Sequence, residues 1–303
     1  MSLSEITYDV VIPTYNGAHF ILEQLQSICD QKDLPVKIII SDDGSIDSTL
    51  SIIHTFSMNC AVPIVVLDGP GKGVVNNVFF ALQHTTSDYV LISDQDDIWL
   101  PNKSALFKNE MIYSDSPHLI FSDSTVWYSN DNAGKSFWLH EGINPYNSLD
   151  YRVQVFRNSV QGASSAVNRA LVKMLEYNSN ILMHDWWFTL MANTFGKISI
   201  IHESTLLYRQ HASNQVGAKG KFKWNLIRNI KNSQLIFKQI AAFYKVYGTR
   251  LSNEHLSFYR DFNISFENGL FARVSFLLKY KPFRKNIFRS GTLWASILFV
   301  KIN

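Results

Sequence analysis

Cysteine is scarce in this chain of 303 residues, with Cys29 and Cys60 the only two. Their spacing matches no metal motif, so they read as core thiols rather than a disulfide, which suits a reducing compartment. Long hydrophobic runs are also missing. The longest candidate, Leu293 to Val300, falls far short of the roughly 20 residues that cross a bilayer. The first residues lack a basic segment followed by an apolar stretch, so no secretory signal is expected and a cytoplasmic location is. No early strand is followed by a G-x-G-x-x-G turn. Gly69, Gly71 and Gly73 arrive after the third expected strand with the wrong spacing, which argues against a dinucleotide-dependent oxidoreductase. Acidic residues almost vanish towards the end: residues 219–303 hold 3 Asp+Glu against 16 Lys+Arg, whereas residues 1–218 hold 22 against 12. The net charge of +3 therefore conceals an acidic part and a strongly basic one. A functional boundary is expected near Gly217–Gly220, giving an acidic domain over 1–218 and a basic helical region over 219–303. No nucleic-acid-binding motif accompanies the basic charge, so nucleic acid is not an expected partner.

What the chain has is ordinary globular composition, 46% hydrophobic and 17% charged, with aromatics at 14%, enough for one large domain or two modest ones. Tyr8-Asp-Val-Val-Ile-Pro-Thr-Tyr-Asn-Gly17 reads as a strand ending in a Pro-containing loop. Ala18 to Cys29 has helical spacing, with Phe20, Leu22, Leu25 and Ile28 largely on one side. Val36 to Ser41 is the second strand and runs into Asp42-Asp43-Gly44-Ser45. Asp47 and Ser48 then cap a helix to about Phe56. Val62 to Leu67 is the third strand, Asp68 to Gly73 a glycine loop, and Val74 to His84 a helix. Four strand–helix alternations at short spacing predict a mainly parallel sheet covered by helices, with ligands beyond the carboxyl ends of its strands. Asn16, Asp42, Lys72 and Asp94 all fall at those ends.

The most informative stretch is Asp88-Tyr-Val-Leu-Ile-Ser-Asp-Gln-Asp-Asp-Ile-Trp99. A short apolar run stops at Asp94, Asp96 and Asp97. Carboxylates this close repel one another, so a fold that gathers them at a strand end supplies a cation, unless they form a solvated acidic turn. Hard oxygen ligands suit Mg²⁺ or Mn²⁺. Further on, Pro101 starts a helix to about Tyr113. Leu119 to Ser122 is a short strand followed by a polar loop from Asp123 to Ser136. Ser164 to Val167 continues the sheet, Asn168 to Tyr177 is a helix, and Ile198 to Ile201 is a strand.

Taken together, Val11-Ile-Pro-Thr-Tyr-Asn16, Ser41-Asp-Asp-Gly-Ser-Ile-Asp47, Ser93-Asp-Gln-Asp-Asp-Ile-Trp-Leu-Pro-Asn-Lys103, Asn158 to Arg169, His184-Asp-Trp-Trp187 and Tyr208-Arg-Gln-His211 with Asn214 form an ordered set. It resembles the inverting family-2 glycosyltransferases of GT-A fold, and among them bacterial rhamnosyltransferases of polysaccharide and O-antigen assembly. The resemblance covers roughly residues 8–217. Two departures stand out: Gln161-Gly162-Ala163 replaces the family's usual Thr-Gly-Cys, and Phe79 stands where Asn is common, with Asn77 kept. The resemblance implies an α/β fold, a Rossmann-like, mainly parallel sheet flanked by helices, with a C-terminal helical basic extension.

The same resemblance implies roles. Asp94 and Asp96 form a D-x-D, with Asp96 on Mn²⁺ or Mg²⁺ and Asp94 on the metal, a metal-bound water or the ribose. Asp97 serves either the metal or the structure, and His211 is a further metal ligand or an ordinary histidine. Asp42 or Asp43 accepts the N3–H of uracil or thymine, the other holding the ribose or the following loop. Pro13, Tyr15 and Asn16 line the base pocket, with Tyr15 as core filler the plainer alternative. Lys72 reaches the diphosphate or is a solvated loop lysine. Asn77 and Gly162 complete the donor site. Asp185 is the general base, or simply a helix cap. Trp186 and Trp187 stack on sugars, with one of them packing in the core.

The implied donor is a nucleotide diphosphate sugar, dTDP-L-rhamnose first and UDP-hexoses next, and the acceptor a glycan or lipid-linked glycan. An inactive nucleotide-sugar-binding module is the reading from a different class. In the basic region Phe222, Leu226, Ile230 and Phe237 recur among Lys221, Lys223, Arg228, Lys231 and Lys238. Phe271 to Lys301 adds apolar residues between Arg273, Lys279, Lys281, Arg284, Lys285 and Arg289. This pattern suits the anionic inner face of a bacterial plasma membrane, or else a lid or homo-oligomer interface.

Overall fold

Short apolar runs with abrupt polar ends set the frame. The computed structural model describes residues 5–128, 134–211, 226–282 and 287–300; of these, the side chains at 226–231 and 287–289 are not described. Asn214, the 217–220 boundary, Lys221, Phe222, Lys223, Arg284 and Lys285, and the side chains of Leu226, Arg228, Ile230, Lys231 and Arg289, therefore lie outside the described residues. The strands are β1 (Tyr8–Thr14), β2 (Ile38–Asp42), β3 (Ile64–Asp68), β4 (Tyr89–Ile92), β5 (Ile98–Trp99), β6 (His118–Trp127), β7 (Lys135–Ser136), β8 (Ser165–Asn168) and β9 (Lys197–Arg209). The helices are α1 (Ile21–Cys29), α2 (Thr49–Ser57), α3 (Val74–Leu82), α4 (Lys103–Glu110), α5 (Phe137–Glu141), α6 (Tyr151–Gln154), α7 (Arg169–Met174), α8 (His184–Phe195), α9 (Leu226–Tyr247), α10 (Asn253–Glu267), α11 (Leu270–Tyr280) and α12 (Ile287–Phe299).

Every residue of β1, β2 and β4 is buried, as expected for central parallel strands covered on both faces. The sheet runs β3-β2-β1-β4-β8-β6-β9-β5, with β7 on β6. Val11 lies opposite Ile39 on one side and Ile92 on the other, and Thr14 lies opposite Asp42. The chain leaves β1 first towards β2 and later returns to β4 on the opposite side. That reversal opens a crevice beyond the carboxyl ends of β1 and β4, where the 15–17 and 94–97 segments emerge. The α/β expectation of a mainly parallel sheet flanked by helices, with helices at the C-terminal end, is what the structure shows.

Several local expectations change. Buried positions of α1 are Ile21, Gln24, Leu25, Ser27 and Ile28, while Leu22 is 51% exposed. Asp47 catches the Thr49 N–H at 3.0 Å, whereas the side chain of Ser48 at the cap of α2 makes no capping bond. The supposed loop after Ser122 is strand: β6 continues to Trp127 alongside a β9 that runs on to Arg209, with register shifts flanking Asp123. Two of its polar residues are satisfied across the ladder. Ser122 Oγ meets Thr205 Oγ1 at 2.6 Å, and Thr125 Oγ1 meets Ser204 Oγ at 2.8 Å. Hydrophobic periodicity cannot reveal strands whose inward residues are paired hydroxyls.

The chain divides into two compact units. One comprises Met1–Pro145, Val160–Leu175 and Gly196–Lys219; the other comprises Tyr146–Ser159, Glu176–Phe195 and Gly220–Asn303. The second unit thus takes Tyr146–Ser159 and Glu176–Phe195 from within residues 1–218. Its core is aromatic: Trp187 meets Phe243 edge-on at 5.2 Å, Phe243 stacks on Tyr259 at 5.2 Å, and Phe237 and Phe262 contact at 5.7 Å.

Each unit encloses a buried histidine. In the first, the Tyr89 hydroxyl donates to the Ile112 carbonyl at 2.9 Å and so accepts from His118 Nδ1 at 2.7 Å; Nε2 is left to accept from Ser199 Oγ at 3.1 Å. Burial, with Lys197 adding to it, pulls His118 down to about 4 from 6.5, and burial alone does the same to His184 in the second. The unfolded chain therefore takes up these protons first. Their stabilisation is complete above about pH 6.5 and lost as pH falls towards 4, up to about 3 kcal/mol for each histidine. The urea midpoint is expected to fall between pH 7.5 and pH 5, and His118→Asn to flatten that slope.

Candidate active site

The acidic segment after β4 is shaped by one buried member. An oxygen from each of Asp94, Asp96 and Asp97 lies within 4.8 Å of the others. Asp94 and Asp96 are partly exposed, but Asp97 is 1% exposed. Its Oδ1 accepts the Arg209 N–H at 3.1 Å, while its buried Oδ2 has no hydrogen-bond partner among the described residues. Burial, then the charges of Asp94 and Asp96, push this carboxyl well above the usual range, against the Arg209 N–H and Lys103. Lys103 is itself wholly buried and pulled down to about 7. Its Nζ donates to the Ala163 carbonyl at 2.6 Å and lies 4.4 Å from the centre of the Trp99 ring. Gln24 of α1 lies buried beneath; with its amide nitrogen turned to the Asp97 carbonyl, its oxygen accepts from Ser93 Oγ at 2.9 Å.

The end of β9 closes over this segment. Arg209 Nε donates to the Asp96 carbonyl at 2.9 Å, and its Nη2 pairs with Glu23. The guanidinium carbon lies 4.5 Å from the Trp127 ring centre and 5.1 Å from that of Phe20. Two residues on, His211 Nε2 is 2.8 Å from Asp96 Oδ2, and its ring stacks on Phe20 at 4.5 Å. Arg209 was not singled out in the sequence; its place inside Tyr208-Arg-Gln-His211 was the available signal.

On the nucleotide side, carboxylates hold loops. Buried Asp42 accepts four donors: Thr14 Oγ1 at 3.0 Å, Ser45 Oγ at 2.6 Å, and the N–H groups of Gly44 and Ser45 at 3.2 and 2.8 Å. Asp43 bridges the glycine loop, its two oxygens accepting the Gly71 and Gly73 N–H groups at 2.7 Å each. Those glycines sit at φ +66° and +85°, a region that strains any other residue. Lys72 between them is exposed. Asn16 adopts φ +48° and accepts the Ile46 N–H at 2.9 Å. Tyr15 is 53% exposed, so it is not core filler. Gln95 grips its backbone on both sides, accepting the Tyr15 N–H at 3.0 Å and donating to its carbonyl at 3.2 Å. Pro13 is buried inside β1. Asn77 is buried as well and donates to the Ser41 carbonyl at 2.7 Å, so it braces the end of β2 and has little surface for a ligand. Gly162 is buried in the turn before β8, its carbonyl taken by Ser165 Oγ at 2.7 Å.

Asp185 belongs to the second unit, in the first turn of α8 and 2% exposed. Its Oδ1 accepts from Asn158 Nδ2 at 3.0 Å and from the Trp186 N–H at 2.6 Å. Both tryptophans are core residues. Trp186 donates its indole N–H to the Gln154 carbonyl at 2.7 Å, and Trp187 is wholly buried among Phe243 and Tyr247. Trp187 is thus the core member expected of the pair, and Trp186, 6% exposed, is buried as well, so neither presents an open ring face to a sugar.

A family model described as "Glycosyl transferase family 2" matches residues 9–115. The dTDP-rhamnosyl transferase RfbG of Shigella flexneri is 33% identical over 224 residues, 69% of this chain and 75% of that protein. The chain belongs to glycosyl transferase family 2. The enzyme is similar in fold to a mannosyltransferase from Pyrobaculum calidifontis solved with GDP-Man and Mn²⁺, with a TM-score of 0.51 at 19% identity over 97% of this chain and 86% of that one. It is similar also to Staphylococcus aureus TarS 1–349 solved with UDP-GlcNAc, with a TM-score of 0.51 at 20% identity over 78% of this chain and 66% of that one. These likenesses show the GT-A fold.

The carboxylate segment fits a divalent ion. Its donors are hard oxygens joined by one imidazole, and the Asp97 Oδ2 is an orphaned buried acceptor behind them. Such a set suits Mg²⁺ or Mn²⁺. Arg209→Met should cost about 2–3 kcal/mol in urea unfolding, because a part-buried hydrogen bond, the Glu23 pair and two ring contacts are lost. Glu23→Gln should cost under about 1 kcal/mol, since Glu23 is largely exposed. The Arg209 variant should also bind Mn²⁺ at least tenfold more weakly by paramagnetic resonance titration.

Proposed function

We propose that this enzyme transfers L-rhamnose from dTDP-β-L-rhamnose, with inversion, to a lipid-linked or polysaccharide acceptor of a bacterial cell-surface glycan. The observation that carries the donor is the 33% identity, across most of both chains, to a protein named as a dTDP-rhamnosyl transferase. The carboxylate segment and the strand-end loops supply the chemistry that such a donor needs.

Asp96, Asp94 and His211 are the residues that hold the divalent ion. When bound, that ion supplies Lewis-acid stabilisation of the departing diphosphate. Asp97 holds the Arg209 backbone and keeps the segment in shape. A carboxylate oxygen accepts two hydrogen bonds, so Asp43 can take the thymine N3–H beside the Gly71 and Gly73 amides, leaving Asp42 to frame the loop. Tyr15 and Asn16 flank the base, and Lys72 faces the phosphates.

Asp185 removes the proton from the acceptor hydroxyl as its oxygen attacks the anomeric carbon. The bond from that carbon to the phosphate oxygen breaks, and dTDP leaves with the electron pair. One base on the face opposite the leaving group turns a β-donor into an α-rhamnoside. Asn158 and the Trp186 N–H hold one Asp185 oxygen in place for that task.

A lipid-linked acceptor places the work at the inner face of the plasma membrane, and the basic residues beyond 219 suit its anionic surface. No helix among the described residues is long and apolar enough to cross it.

Two measurements test this reading. In thermal-shift assays with Mn²⁺, dTDP-rhamnose is expected to stabilise the enzyme, by about 2.7 kcal/mol at a hundredfold excess over its dissociation constant. UDP-glucose and GDP-mannose should do much less; stabilisation by a UDP-hexose instead would replace the rhamnose assignment. Asp185→Asn should abolish transfer, at least a thousandfold loss, while keeping the donor-dependent shift. Near-normal turnover in that variant removes Asp185 as the base.

A further inference from the structure

The sequence places its first basic amphipathic pattern on what proves to be α9, but the described part of that helix spends its apolar side inside the second unit. Phe237, Ile240, Phe243 and Tyr247 are all wholly buried there. Helix α11 behaves differently. On its inner side Phe276 and Leu277 are buried, and Phe276 packs against Phe258 and Phe262 at 5.5 and 5.6 Å. Beside them, Arg273 Nη1 donates to the carbonyls of Ile297, Leu298 and Val300 at 3.3, 2.9 and 2.9 Å, closing the end of α12.

The outer side of α11 is apolar too. Phe271 is 91% exposed, Leu278 64% and Val274 39%; at spacings of three and four residues they form one line along the helix. Leu270 is exposed next to this line. Ile264, exposed on α10, belongs to the same antiparallel hairpin, whose pairing is fixed by Asp261 accepting from Lys279 Nζ at 2.7 Å and Tyr280 OH at 2.9 Å. A helix apolar on both sides is ordinary in a core or against lipid and unusual in water.

Charge points to the occupant. Asp261 offsets Lys279, but no Asp or Glu follows Glu267 in the sequence, whereas Lys281, Arg284, Lys285, Arg289 and Lys301 do. An apolar line in a stretch of sequence that carries cations and no acid is complementary to a surface with acyl chains beneath anionic headgroups, and not to another copy of a cationic segment.

We infer that the Phe271–Val274–Leu278 line of α11 docks on an anionic lipid bilayer, its apolar side chains entering the acyl boundary while Lys281 at the end of the helix meets the headgroups. The inference rests on the membrane reading above and names the face responsible for it.

Flotation of the full-length protein with vesicles of 30% phosphatidylglycerol in phosphatidylcholine tests it. Wild-type protein is expected to float, and Phe271→Ser/Leu278→Ser to partition at least tenfold less. The variant's donor-dependent thermal shift should be unchanged, since these exposed side chains touch no donor residue. Lys281→Glu should weaken flotation at low salt and make little difference at 0.5 M salt. If the double variant floats as well as wild type, α11 is not the docking face, although the membrane reading stands. If wild-type protein does not float at low salt, the membrane reading fails and this inference with it. If sedimentation velocity shows wild-type dimers that the double variant abolishes, without vesicle binding, the face is a homotypic interface and the lipid assignment is overturned.

Discussion

A carboxylate buried beside two others is costly unless something fixed answers it. In this enzyme the answer to Asp97 comes from Arg209, 112 residues away in the chain. Its backbone N–H meets Asp97, its Nε–H meets the Asp96 carbonyl, and its guanidinium lies near the rings of Trp127 and Phe20. For Arg209 to arrive there, β9 has to run thirteen residues instead of the four that its apolar run suggests. A strand of that length needs a partner, and β6 lengthens to Trp127 through the irregularity at Asp123 to provide one. Much of the second half of the sheet can thus be understood as the means of delivering Arg209 and His211 to the end of β4.

The same economy governs the other strand ends. Asp42, Asp43 and Asp47 each spend their oxygens on backbone N–H groups of neighbouring loops. Oriented N–H groups held before any ligand arrives cost nothing to reorganise when it does. The acidic character of residues 1–218 is therefore partly architectural. Several of its carboxylates are loop fasteners, while those after β4 cluster in the one group of carboxylates among the described residues that could hold a metal ion.

This dual use explains what was and was not legible in the sequence. The strands β1, β2 and β4 and the clustering of Asn16, Asp42 and Asp94 at their ends could be read from apolar runs with polar stops. So could the family, from motifs in order. The extended β6 could not, because Ser122 and Thr125 look like loop residues until their partners Thr205 and Ser204 are seen across the ladder. The inward side of α1 was misjudged because Gln24 and Ser27 are buried there, each satisfied by hydrogen bonds, while Leu22 faces out. Charge counting placed a boundary near 218, and the last segment of the second unit does begin at Gly220, but charge reports on surface and does not reveal the earlier segments that pack with it. The aromatic core of the second unit recruits Trp187 from well before that point.

That recruitment bears on Asp185 itself. A polar residue followed by two tryptophans looks like a sugar platform when read as a string. In three dimensions Trp186 is tied to the Gln154 carbonyl and Trp187 is locked among Phe243 and Tyr247, so the first turn of α8 is held largely by core packing. A proton acceptor must sit within a few tenths of an ångström of its productive position, and rigid elements hold such tolerances better than loops do. Under the role proposed for Asp185, the tryptophans would serve the chemistry indirectly: they fix the helix, and Asn158 holds the carboxylate in one position.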